Sequence, residues 1–332
     1  MIPMFGHRLV RAVVVAGITA SLSGCYYMQA ARGQFEVMHK REPIDDVINA
    51  NETPAALSTR LELVKEARQF SIDELALPDN DSYRSYADIE RDYVVWNVFA
   101  APEFSLEPKR WCFPVAGCVN YRGYFSEDAA RRKADQLKDN HDVAVGGIAA
   151  YSTLGRFSDP VLNTMMHWED TDLMATMFHE LAHQVLYVKG DSGFNESFAT
   201  AVEEFGLERW LSSRDQQGEL TRYRERRELG ERLMEHVELA RLDLEAIYSS
   251  SIGTDEMRLR KKNRIGELNV VLHDELERSG HEPPAWLGEG LNNARLASMN
   301  LYHGRLPEFR TMFMECKADF ACFYAEAKKL CC

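Results

Sequence analysis

The chain reads as an α+β protein: a small sheet comes first and a predominantly helical C-terminal part follows. Aromatic and β-branched residues dominate residues 93–104 and 110–125 and recur over 142–154, whereas nearly every segment after Asp170 carries a helical apolar period. With 332 residues, 45% hydrophobic and 27% charged, and no repeat or low-complexity tract, the chain can bury a substantial core.

Thr53 and Pro54 start a helix to about residue 70. The two aromatic stretches after it predict paired strands. Ser126, with Glu127 and Asp128 behind it, opens a helix to about Asp139: a capping hydroxyl, then carboxylates at the positive end of the dipole. Residues 142–154 predict another strand, with Gly146 and Gly147 marking a bulge or a close backbone approach. Helices are expected over about 171–188 and 195–212. Residues 217–250 and 255–279 are long, charged and heptad-like, the pattern of an antiparallel helical hairpin. Shorter helices fill 286–330. No composition break divides residues 53–332, which predicts one domain.

The N-terminus has a separate logic. Arg8 and Arg11 precede an apolar run from Ala12 to Leu22. That run is well short of the ~20 residues a membrane-spanning helix needs. It ends in Leu22-Ser23-Gly24-Cys25, which resembles the lipobox of bacterial lipoproteins. The resemblance implies a signal peptide over 1–24, acylation of Cys25, and residues 25–52 as a polar, irregular tether. Acyl chains then supply the membrane anchor. Tyr26, not Asp, follows Cys25, which favours the outer membrane and a periplasm-facing protein. The net charge of −13 argues against nucleic acid as a partner and against an electrostatic hold on anionic lipid.

Cysteine usage agrees with export. Cys112 and Cys118 flank a Pro- and Gly-containing turn, and Cys316 and Cys322 flank a helix break where Asp319 can cap the next helix. Each pair can close a small disulfide loop in an oxidising compartment. Cys331 and Cys332 have no evident role.

The chemistry concentrates in His179-Glu180-Leu181-Ala182-His183. Helical positions i and i+4 lie about 40° apart and about 6 Å along the axis, so both imidazoles face one point and can share a Zn²⁺. Glu180 is placed to take a proton from the attacking water without being a ligand. Met174, Met177, Phe178, Leu181, Val185 and Leu186 give the helix apolar faces, so its polar triplet would be costly without a use. A turn at Gly190–Gly193 lets the next helix fold back and bring Glu196 to the histidines as third ligand.

HELAHQ followed by NESFATAVE resembles the motif pair of gluzincin metallopeptidases, particularly membrane-alanyl-type aminopeptidases. The resemblance implies a zincin-like, thermolysin-type fold, one zinc per chain on His179, His183 and Glu196, and Glu203 orienting a ligand histidine. Glu204 is open between a site role and a solvated face. The loop between the motifs is shorter than is usual there. A nearer likeness is to a bacterial zinc-dependent aminopeptidase lipoprotein family, carried by the lipobox, WC…GC, AYSTLG, HELAHQ, FNESFA and NNARL, spanning residues 22–302.

In that clan the strand before the zinc helix offers its edge to an extended peptide, which here means 142–154. A Tyr or His steadies the oxyanion. Tyr302 is the first candidate, with His303 and Tyr248 as rivals. Asn292 and Asn293 either contact substrate or cap a helix. One departure matters: where the better-known aminopeptidases carry a Glu for the substrate's amine, this chain has Gly146-Gly147-Ile148-Ala149-Ala150. The expected activity is zinc-dependent peptide hydrolysis, as an aminopeptidase. The alternatives are an envelope endopeptidase and a non-catalytic zinc-containing peptide-binding or chaperone lipoprotein.

Overall fold

The computed structural model describes residues 26–113, 117–150, 152–153, 155–288, 290–299 and 305–331. Cys25, Tyr302, His303 and Cys332 therefore lie outside the described residues. Among those described, no helix is long and apolar enough to cross a membrane.

Residues 26–39 form helix α1, followed by β1 (Arg41–Pro43), α2 (Ile44–Asn49) and α3 (Ala55–Asp73). The irregular tether expected over 25–52 is thus corrected from Tyr26 onward. Val37 is buried in the main core, the Phe125 ring lies on Gly33, Glu36 pairs with Arg91 at 2.8 Å, and Tyr26 stacks on Phe113. These contacts are all made to distant segments, which is why no local apolar period announced the helix.

Strands β2 (Ser85–Ala87), β3 (Val95–Pro102), β4 (Trp111–Phe113), β5 (Gly117–Val119) and β6 (Arg122–Tyr124) come next, then α4 (Glu127–Asp135), capped by Ser126. β7 (His141–Ile148) and β8 (Val161–Leu162) complete the strands. β6-β3-β7 is an antiparallel sheet with Asn97 paired to Gly123 on one side and Gly146 on the other. β1-β2-β8 is a second small sheet, and β4-β5 is a hairpin closed by the Cys112–Cys118 disulfide. β7 is shorter than the 142–154 expected from the sequence, because Thr164 Oγ1 donates to the carbonyl of Ala149 at 2.6 Å and the chain leaves the sheet.

The helical part contains α5 (Asp170–Val185), α6 (Ser192–Ser213), α7 (Gln217–Tyr248), α8 (Thr254–Arg278), α9 (Ala285–Gly288), α10 (Asn293–Met299), α11 (Leu306–Glu315) and α12 (Phe320–Lys329). A Cys316–Cys322 disulfide joins the last two. α7 and α8 pair as the expected hairpin, tied by Arg264–Asp243 at 2.7 Å and Arg232–Glu275 at 2.8 Å around their own leucine-rich core. The main core lies around α5 and α6, where Met174, Met177, Phe178, Leu181, Phe194 and Phe198 are fully enclosed. Gly206 permits this: a Cβ there would meet Leu75 at 2.9 Å and Phe178 at 3.2 Å.

Glu204 is 4% exposed and held by Arg310 at 2.9 and 3.0 Å and by Arg227 at 3.0 Å. It is neither a site residue nor a solvated one; it fastens α11 to α6 and α7. Arg310→Ala leaves this buried carboxylate short of a partner and is expected to cost about 3 kcal/mol in urea unfolding. An unchanged midpoint would show that Arg227 alone suffices.

Candidate metal centre

α5 begins with Asp170 and Asp172 in its first turn, where carboxylates suit the helix dipole, and Asp172 pairs there with Arg226 at 3.2 Å. Asp191 caps α6 by accepting from Phe194 N at 2.9 Å. Asn195, 1% exposed, sets the turn between the helices: its Oδ1 accepts from Val188 N at 2.7 Å and its Nδ2 donates to Val188 O at 2.9 Å. Both amide groups are thereby satisfied, and Glu196 is held at the start of α6 facing α5.

The sequence-predicted ligands meet. Nε2 of His179 lies 3.3 Å and Nε2 of His183 3.8 Å from Glu196 Oε2, and the two rings stand 4.9 Å apart, nearly perpendicular. One ligand atom from each residue falls within 4.8 Å of the others. Four-coordinate zinc with N and O bonds of about 2.0–2.1 Å has ligand-to-ligand edges of about 3.3–3.4 Å. The donor set and its spacing therefore fit a small divalent ion bound by two neutral imidazoles and one carboxylate.

Tautomer and orientation are fixed from outside. His179 Nδ1 donates to Glu203 Oε2 at 2.9 Å; a carboxylate only accepts, so the Nε2 lone pair is left for the centre. His183 Nδ1 is buried with no hydrogen-bond partner among the described residues. Burial, with the neighbouring His179 charge, pushes His183 down to about 4, so it stays neutral as a ligand must. Burial also acts to lower His179, but the carboxylates of Glu196 and Glu203 outweigh it and raise its pKa well above the usual value. Glu196 remains a carboxylate: against its burial, the His179 hydrogen bond and both imidazoles hold its pKa down. Burial drives Glu180 up to about 7, opposed by His179 and reinforced by the charges of Glu196, Asp159 and Glu203.

Glu203→Gln frees the His179 ring and is expected to weaken metal binding about 10–100-fold, read by competition with a chromogenic chelator. Unaltered affinity would leave Glu203 without the orienting role.

Other expectations separate here. Tyr248 donates its hydroxyl to Asn293 Oδ1 at 2.8 Å. Asn293 also donates to the carbonyls of Pro102 and Glu103, and Asn292 caps Arg295 N while donating to Val143 O at 2.9 Å. These asparagines dock α10 on the sheet, and Asn292 and Arg295 occupy the β7 carbonyls of Val143 and Val145. The strand edge therefore has its first half already taken.

Three residues that sequence reasoning missed stand close enough to interact electrostatically with this group. Tyr187, with its ring 6.5 Å from that of His183, is raised by burial and by the Glu196 charge; it lies past the end of α5 at Val185, so helical spacing does not place it there. Tyr121, packed on Phe99, is raised by burial and by Glu196 and Glu180. Asp159 acts on Glu180. The last two come from a strand connection and a loop remote in sequence, with no motif to mark them.

A family model described as "Putative aminopeptidase" matches residues 25–331. No curated protein and no solved structure matches. The match runs through nearly the whole chain, the His179–His183 and Glu196 motifs included, and the protein belongs to that aminopeptidase family.

Proposed function

We propose that the protein is a zinc-dependent peptidase of zincin-like architecture, working from a lipid anchor in the bacterial envelope. The observation that carries this reading is the convergence of His179, His183 and Glu196 with the Glu180 carboxyl left over beside them. His179, His183 and Glu196 would hold the ion, which supplies Lewis acidity to the scissile carbonyl and the attacking water. Purely structural zinc has no use for a neighbouring base.

Glu180 takes a proton from the attacking water as its oxygen adds to the peptide carbonyl. It then delivers that proton to the amine as the C–N bond breaks. Glu203 keeps His179 in place. Tyr302 steadies the oxyanion, with Tyr121 as the described alternative on account of its nearness to Glu196 and Glu180. The open half of β7, from Gly146, offers backbone to an extended substrate. Arg8 and Arg11, the apolar run to Leu22, and Cys25 support export, acylation and an outer-membrane position.

The test is the chain from Tyr26 onward, assayed for metal content and for cleavage of free and N-terminally blocked peptides. About one zinc per chain with cleavage supports the peptidase reading. Zinc without cleavage of any peptide moves the non-catalytic peptide-binding alternative ahead.

A further inference from the structure

A peptidase that removes N-terminal residues must desolvate the substrate's α-ammonium, which needs an anion at that point. Three carboxylates at the centre are committed: Glu196 to the ion, Glu203 to His179, and Glu180 to the proton. The strand segment Gly146–Ala150 carries no acid. Any acid assigned to the amine therefore presupposes the peptidase activity proposed for this centre.

One further carboxylate belongs to this neighbourhood. Asp159 lies in the segment that leaves β7 and returns as β8. That segment leans on the zinc-motif helix: a Cβ at Gly155 would sit 3.4 Å from Gln184 Oε1. Gln184 is one helical turn beyond Glu180, on the same face. Asp159 is 4% exposed, and its Oδ2 accepts from Thr153 N at 2.9 Å. Among the described residues Thr153 alone donates to this carboxylate, and no cation forms an ion pair with it. The nearest positive charge with an influence on it is Arg41, whose guanidinium is spent on Ser158 O at 2.7 Å. An acid this buried and this poorly matched costs stability unless a ligand completes it.

We propose that Asp159 receives the α-ammonium of the substrate, making it the residue that restricts this enzyme to peptides with a free N-terminus. Its charge reaches Glu180, and the Thr153 it accepts from lies just past the end of β7, whose edge is open from Gly146. A peptide held there presents its first carbonyl to the ion and its amine to Asp159. The carboxylate missing from the strand is thus replaced by one from the loop after it.

A stability effect of known sign accompanies the proposal. Burial lifts the Asp159 carboxyl from 3.8 to about 6 against the Thr153 bonds and Arg41. The folded chain thus holds this proton more tightly than the unfolded one. Stability falls as pH rises through that window, and a neutral amide escapes the penalty.

The experiment compares metal-loaded wild type with Asp159→Asn, which keeps an acceptor for Thr153. Leucine p-nitroanilide and its N-acetyl analogue are the substrates; leucine hydroxamate and its N-acetyl analogue are the binding probes. The variant should hold one metal and melt no lower than wild type at pH 7. Its KM for the free-amine anilide should rise at least about tenfold with a much smaller change in kcat, and its preference for free-amine over acetylated hydroxamate should collapse. A variant that keeps the preference overturns the proposal, as does one that loses both substrates equally and melts lower. If wild type cleaves neither anilide, the peptidase reading fails separately. The hydroxamates then decide: an Asp159-dependent preference for the free amine supports the assignment, and its absence overturns it.

Discussion

Glu180→Gln is expected to lower kcat by about 10³-fold while leaving one metal ion per chain. Gln fills the same volume and keeps a carbonyl oxygen beside the water, but it cannot take a proton or return one to the departing amine. Because Glu180 is not among the three converging ligands, its loss leaves the donor set whole. The measurement is steady-state peptide cleavage beside metal analysis of the same samples. A variant retaining a tenth of wild-type kcat would remove Glu180 as the base. A variant that loses its metal would make it a ligand instead.

His183→Ala is expected to abolish both metal retention and activity. His183 is 7% exposed and contributes one of only two imidazoles in the donor set. Without it the ion keeps one His and one carboxylate, too few for a stable structural or catalytic zinc site. The loss also shows in stability, since a ligand that binds only the folded chain stabilises it by mass action. At a thousandfold excess over Kd the gain is about 4 kcal/mol. Zinc added to the metal-stripped wild type should raise its melting temperature, whereas added to His183→Ala it should not. Metal-dependent activity surviving in the variant would place the centre elsewhere.

The grouping of His179, His183 and Glu196 was legible because its logic is local. His179 and His183 are one helical turn apart, and Glu196 follows a turn too short to send the next helix anywhere but back. Helical periodicity likewise located α3, α5, α6 and the α7–α8 pair within a few residues of their observed ends. Asn195 belonged to a recognised motif, yet its work of clasping both backbone groups of Val188 became visible only in the structure.

Tertiary structure decided what depends on partners far along the chain. α1 is helical and packed because Phe125, Arg91 and Phe113 wait for it, and nothing in its own period says so. Glu204 was open between a site role and a solvated face until the structure showed Arg227 and Arg310 closed over it. The strand edge expected to be open is half occupied by Asn292 and Arg295 from a helix about 150 residues later. Tyr121 and Asp159 reached the centre by the same route. Sequence by itself brought His179 and His183 to one face, since helix geometry places residues i and i+4 without help from the fold. Which further side chains surround them was a matter of long-range packing, whose partners leave no period or spacing in the chain.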